Sequence, residues 1–349
     1  MPIVFFSGAV FNPASCRYNT EMQILLTSAG SYPRIGETLE LQQLRRTIAA
    51  WERQEASTDA LRAAEDALVK AALDEQVEAG LDLVTDGQIR WYDPISHLAG
   101  KLAGVEINGL LRLFDTNFYF RQPVIRGALR RQDGMILSEY EFARAHSPKP
   151  VKPVLTGPCT LARSSILANG AYKGAEGLLD AYAQALATEV EALARAGAEV
   201  IQIDEPAVVK YPAELPLLER ALTALAARKG SAKLALHLSF GDPQPLYDRL
   251  QRLPMDILSL DFTYSGKFAD HVADAGSAKP LGLGLLDARN TRLEDAAAVA
   301  KQAERILSRV KADSCFLLPS CGLEYLPRDR ARSKLKLLAQ VRAHLKGTQ

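Results

Sequence analysis

Val200-Ile201-Gln202-Ile203-Asp204-Glu205-Pro206 is the stretch whose reading decides the fold. Four residues with the look of a buried strand run directly into two adjacent carboxylates and a proline, so the strand must stop where the charges begin. On a parallel sheet that position holds catalytic groups, and Asp204 and Glu205 are the first catalytic candidates. The same pattern, a short apolar run ending in polar or sulfur side chains, recurs at Ala235-Leu236-His237-Leu238-Ser239, Ile257-Leu258-Ser259-Leu260-Asp261, Leu283-Gly284-Leu285-Leu286-Asp287 and Phe316-Leu317-Leu318-Pro319-Ser320-Cys321. If these strand ends gather at one rim, they form one site.

Working outward, strands and helices alternate. Ile24-Leu25-Leu26-Thr27, Leu81-Asp82-Leu83-Val84-Thr85 and Val154-Leu155-Thr156 read as the first three strands, and the stretches beginning at Glu199, Leu234, Ile257, Leu281 and Phe316 as the remaining five. Segments with apolar residues at helical spacing separate them, as at Glu176 to Ala196, Leu215 to Ala227 and Leu293 to Val310. Eight such units favour a closed (β/α)8 TIM barrel over an open doubly wound sheet. No glycine-rich dinucleotide fingerprint follows the first strand, and there is no GK[ST] phosphate loop.

Domain organisation follows from the same reading. Residues 1–21 mix a short Ile3-Val4-Phe5-Phe6 run with Gly, Asn, Pro and Ser, and are expected to be a peripheral or poorly ordered N-terminal extension. Residues 22–349 are expected to be a single catalytic barrel, with an insertion at 88–150 after the second strand. Asn108-Gly109 and Asp133-Gly134 are its turn signals, and Phe114, Phe118, Tyr119 and Phe120 an aromatic cluster.

Composition limits the partners. An apolar share of 48% in 349 residues is enough for a full core, and a net charge of +1 supplies no field for gathering nucleic acid or acidic membranes. No run is long and apolar enough to span a bilayer. Cys16, Cys159, Cys315 and Cys321 are too few for a disulfide scaffold in a chain of this length, so a cytoplasmic setting is expected.

In a barrel, side chains just past the strand ends converge on one mouth. His237, Asp261 and Cys321 would then offer an imidazole, a carboxylate and a thiolate from three strands, a set suited to zinc. Taken singly, each has an ordinary structural role: a hydrogen-bonded core histidine, a carboxylate capping the next helix, a small buried hydrophobe.

Five stretches in order, Thr27-Ser28-Ala29-Gly30-Ser31-Tyr32-Pro33-Arg34, Leu81-Asp82-Leu83-Val84-Thr85-Asp86-Gly87, Leu155-Thr156-Gly157-Pro158-Cys159-Thr160-Leu161, Ile201-Gln202-Ile203-Asp204-Glu205-Pro206-Ala207 and Pro319-Ser320-Cys321-Gly322-Leu323, resemble the cobalamin-independent methionine synthase family. With a single barrel, the chain is similar to the family's short members. The resemblance implies a zinc-dependent transfer of a methyl group to the sulfur of homocysteine, giving methionine. It implies zinc on His237 and Cys321, Asp204 on the substrate's ammonium, and Ser31 with the backbone around Gly30 on its carboxylate. Gln88 stands where the family usually has a glutamate for the amino group. Ser239 stands where its metal-binding barrel has a cysteine, and Asp261 where it has a glutamate. The donor implied is a methyl-corrinoid protein or methylfolate. Alternatives are a barrel methyltransferase for another thiol, a metal-free relative resembling uroporphyrinogen decarboxylase, and a non-catalytic partner.

Overall fold

In the computed structural model, residues 22–114, 116, 118–168 and 170–347 are described. The expected extension at 1–21 lies outside the described residues. Among the described residues ten strands form: β1 (Gln23–Leu26), β2 (Leu102–Arg112), β3 (Tyr119–Arg131), β4 (Val154–Thr156), β5 (Ile166–Leu167), β6 (Val200–Asp204), β7 (Lys233–Leu238), β8 (Ile257–Asp261), β9 (Leu281–Leu286) and β10 (Ser314–Pro319). Seven of them make one parallel sheet in the order β1-β10-β9-β8-β7-β6-β4. Every crossover carries helix, which is why the strands read as continuous apolar runs: both faces are covered.

Residues 81–85 close the sheet on itself. Thr27 bridges Leu83 and Val84 bridges Val151, both in parallel, so the eighth position of the barrel is filled. The expected second strand is here reduced to bridges with a few backbone bonds, such as Asp82 N–H to the Leu26 carbonyl at 2.9 Å and Val84 N–H to the Pro150 carbonyl at 3.0 Å, and side chains supplement them. Asp82 accepts from the backbone N–H of Leu26 at 2.8 Å, and the Gln76 amide bonds both the N–H and the carbonyl of Thr85, at 3.0 and 2.8 Å. The fold is the expected (β/α)8 barrel.

The outer helices bury one stripe each. In Ala296–Leu307 the buried residues Val299, Ala300, Ala303, Ile306 and Leu307 follow helical spacing, and Asp295 caps the start by accepting from the N–H of Ala298. Each fully buried leucine or isoleucine in such a stripe contributes about 1.5–3 kcal/mol.

The segment after residue 88 is built on the antiparallel pair β2–β3, with β5 added to its edge. Asn108-Gly109 does not turn the chain; it lies inside β2 at a register shift between Ile107 and Leu110. The reversal comes later, between Arg112 and Tyr119. This brings Phe114 and Phe118 towards the barrel mouth, whereas Tyr119 is exposed and Phe120 enters the core. No helix of the described residues is long and apolar enough to cross a membrane.

Candidate active site at the barrel mouth

The strand ends enclose a small inner chamber lined by Ser31, Gln88, Asp204, His237, Ser239, Cys321, Glu324 and Tyr325, among others. Ser31, Gln88, Pro94 and Glu324 also border an outer vestibule of about 480 Å³, walled by Arg34, Trp91, Tyr92, Phe118 and Arg328. A ligand therefore has a route from the surface to the strand ends.

Asp204, the last residue of β6, is held by its own strand. Gln202 lies two positions earlier on the same face and donates its Nε2 to Asp204 Oδ1 at 2.7 Å. Burial pushes the Asp204 carboxyl up to about 7; Gln202 and Lys152 act against that rise, and Glu324 adds to it. A carboxyl poised near neutrality in a concave site is suited to binding a cation or moving a proton.

Glu205 is not part of this chamber, which corrects the pairing of two catalytic carboxylates. Successive residues of an extended strand point to opposite sides, and Glu205 turns towards the start of the helix Pro158–Ser164. It accepts from the N–H groups of Cys159 (2.7 Å) and Thr160 (3.0 Å) and from the Thr160 hydroxyl (2.7 Å). Gly157 makes room, since a Cβ there would overlap the Glu205 carboxyl. Glu205 is a fully buried helix cap. Cys159, on the same helix, does not line the chamber.

His237 and Cys321 do come together at the chamber. The imidazole Nδ1 pairs with the Ser259 hydroxyl at 2.9 Å, while Nε2 is buried and has no hydrogen-bond partner among the described residues. Burial, reinforced by Lys152, drops the His237 pKa to about 3, so the ring is neutral. The Cys321 thiol is pushed well above its usual range by burial, with Glu324 and Asp261 adding to the shift.

Asp261 does not join them. Its Oδ1 accepts from the Thr263 N–H (2.8 Å), the Thr263 hydroxyl (2.7 Å) and the Tyr264 N–H (3.2 Å), and its Oδ2 faces Arg289 Nη1 at 3.1 Å. Ser239, where a further thiolate would be needed, presents a hydroxyl. Among the described residues no group of three or more His, Cys, Asp or Glu side chains is placed to hold one metal ion. The expected zinc triad of His237, Asp261 and Cys321 is thus reduced to two donors, and the donor set does not fit a catalytic zinc, which takes three protein ligands. The physical reason is the arginine: its charge neutralises the carboxylate that a metal would require.

Ser31 and Gln88 line the chamber, Gly30 lies behind them, where a Cβ would come within 3.6 Å of Gln88 Nε2, and Ser31 has a partner the sequence did not reveal. Its hydroxyl donates to the Glu324 carboxylate, and Gly322 permits this, since a Cβ there would overlap both groups. Gln88 sits at φ 52, an unusual value for a residue other than glycine, with its N–H on Asp86 Oδ1 at 3.0 Å. Above them, Phe114, Phe240, Tyr325 and Phe118 form a chain of ring contacts, with centroids 6.2, 6.0 and 5.7 Å apart along it. These rings give the chamber an apolar roof. Glu324, Tyr325, Phe240 and Lys152 were not singled out by sequence. The nearest signal was Glu324's place three residues after Cys321.

Residues 24–344 match the family described as the cobalamin-independent synthase, catalytic domain. A methionine synthase of Sulfurisphaera tokodaii is 31% identical over 321 residues, spanning 90% of each chain, and one of Saccharolobus solfataricus is 29% identical over 326 residues, spanning 92% of this chain and 95% of that one. Among solved structures, a B12-independent methionine synthase from a Shewanella species, in complex with selenomethionine, superposes with a TM-score of 0.75 at 23% identity, covering 93% of this chain and 98% of that one. A putative vitamin-B12-independent methionine synthase from Listeria monocytogenes gives 0.70 at 17% identity, covering 92% and 98%. These two likenesses concern the fold; the family match and the 31% relative carry further, and by them the chain belongs to the cobalamin-independent synthase family, whose catalytic domain it spans.

Proposed function

We propose that the chain is a homocysteine methyltransferase of the methionine synthase type, moving a methyl group to the sulfur of homocysteine to give methionine. The observation that carries the reading is the meeting, in one chamber of a barrel of this family, of the Asp204 carboxylate and the unpartnered Nε2 of His237. The substrate's ammonium lies on Asp204 with the Gln88 amide beside it. Its carboxylate lies on the backbone at Gly30 and Ser31, because the Ser31 hydroxyl is engaged with Glu324.

The thiol lies between His237 and Cys321. With an ordinary pKa of about 8.5 it is mostly protonated at neutral pH and needs an acceptor to become a nucleophile. His237 Nε2 offers the thiol a hydrogen-bond acceptor that orients the sulfur, while a ring whose pKa lies at about 3 does not take the proton itself. The carbon–sulfur bond forms as the bond between methyl and donor breaks, the donor keeps that electron pair, and the thiol proton is released to solvent through the outer vestibule. The aromatic roof keeps water from the transfer. Zinc, implied by the resemblance, has no step in this scheme, since the donor set for it is incomplete.

The donor is a methyl-corrinoid protein or methylfolate, reaching the chamber through the outer vestibule. Purified protein is to be incubated with homocysteine and either methylcobalamin or methylfolate, with and without added zinc, and methionine followed by mass spectrometry. Methionine from one donor is expected; none from either, under both conditions, would refute the reading.

A further inference from the structure

Beneath the chamber lies a charged side chain that the scheme above does not use. Lys152 precedes β4, projects into the barrel and is 3% exposed. Its Nζ donates to the Ser28 carbonyl at 2.8 Å and to Oε1 of Gln202. Among the described residues no carboxylate is in ion-pair contact with it, and burial brings its pKa down to about 7. Desolvating an ammonium this fully without a counter-ion is costly, which marks the position as kept for a task.

The contacts of Gln202 identify the task. An amide has an acceptor end and a donor end. The acceptor meets Lys152, and Nε2 donates to the Ala29 carbonyl at 2.5 Å and to Asp204 Oδ1 at 2.7 Å. Reversing the amide would set its oxygen against a carbonyl and a carboxylate, and its N–H groups against the lysine. Only one orientation satisfies every partner, and Lys152 enforces it from below.

We propose that Lys152 is a positioning residue for substrate recognition: through the Gln202 amide it holds the Asp204 carboxylate as an aligned acceptor, and so sets a preference for thiols that carry an α-ammonium group. This rests on the reading of Asp204 as the ammonium partner. The other charged group acting on Asp204 is Glu324, from the loop after β10, and it opposes ionisation where Lys152 favours it. His237, on the neighbouring β7, is neutral.

The test is equilibrium binding to the full chain by calorimetry, with homocysteine and with 4-mercaptobutanoate, which keeps the thiol and the carboxylate but lacks the ammonium. Wild type is expected to prefer homocysteine, and Lys152→Met and Gln202→Leu to lower that preference about tenfold or more, the scale of one hydrogen bond to a charged group. Affinity for 4-mercaptobutanoate should stay within about twofold, since no ammonium contact is lost. If Lys152→Met weakens both ligands by the same factor, the residue is merely structural and the proposal falls. Should that variant not fold, Gln202→Leu is read by the same criterion. Asp204→Asn separates the layers. An unchanged preference there overturns the assignment of Asp204 and this inference with it, whereas preference lost in Asp204→Asn but kept in Lys152→Met overturns the relay alone. A wild type that does not bind homocysteine overturns both.

Discussion

Arg289 Nη1 lies 3.1 Å from Asp261 Oδ2, so the carboxylate at the end of β8 is closed by a guanidinium instead of standing open to a cation. Purified protein is therefore expected to hold well under one zinc per chain by elemental analysis, and methyl transfer should survive dialysis against a chelator. One tightly held zinc, lost on substituting His237 or Cys321, would contradict this. Arg289→Ala should unfold at lower denaturant concentration, with a loss on the order of 3–5 kcal/mol, because the fully buried Asp261 would lose its counter-ion.

Acceptor binding should depend on pH through Asp204. Its carboxyl titrates near 7, so a site that needs the carboxylate loses affinity for homocysteine as pH falls from about 8 to 6. The measurement is the apparent KM for homocysteine across that range. Asp204→Asn should have a raised KM with no inflection near 7.

Glu205 leads to a prediction about stability. Burial raises its folded-state pKa to about 7, above the ordinary glutamate value near 4.3 of an unfolded chain. Between these values the folded state binds the extra proton, so this contribution is full below the lower value and is lost as pH climbs through the upper one. Glu205→Gln removes that slope, and should also lower stability by about 1–2 kcal/mol through the weakened cap. Thermal melts of both proteins at several pH values between 4 and 8 check the two effects together.

Gly322→Ala should separate the site from the fold. Its methyl group would displace the Ser31 hydroxyl and the Glu324 carboxylate from each other. Turnover is expected to fall about tenfold or more, as a charge-assisted hydrogen bond beside the substrate is lost, while far-ultraviolet circular dichroism stays unchanged. Full activity in this variant would remove Glu324 from the site.

The barrel was legible because apolar runs and helical stripes carry their period in the sequence, and seven of the eight strand positions follow from it. Residues 81–85 were legible as a segment but not as bridges, since nothing local says that Asp82 and Gln76 supplement a shortened ladder. Asp204 and Glu205 read as a pair because they are adjacent, yet adjacency along a strand sends them to opposite sides. Asp261 read as a ligand because its partner Arg289 stands 28 residues away, a distance that only the closed barrel removes. Lys152 escaped notice for the reverse reason: a lysine at a strand start is ordinarily solvated, and only the fold turns it inward.

Where residues 81–85 complete the barrel, two isolated bridges with a few backbone and side-chain bonds do the work that continuous ladders do elsewhere. The cylinder thus has a seam. Backbone amides along it should trade hydrogen for deuterium sooner than those of β6 to β9, and any breathing of the cylinder starts there. Gln88 lies just beyond the seam, so the same loosening that relaxes the wall would also widen the doorway between vestibule and chamber.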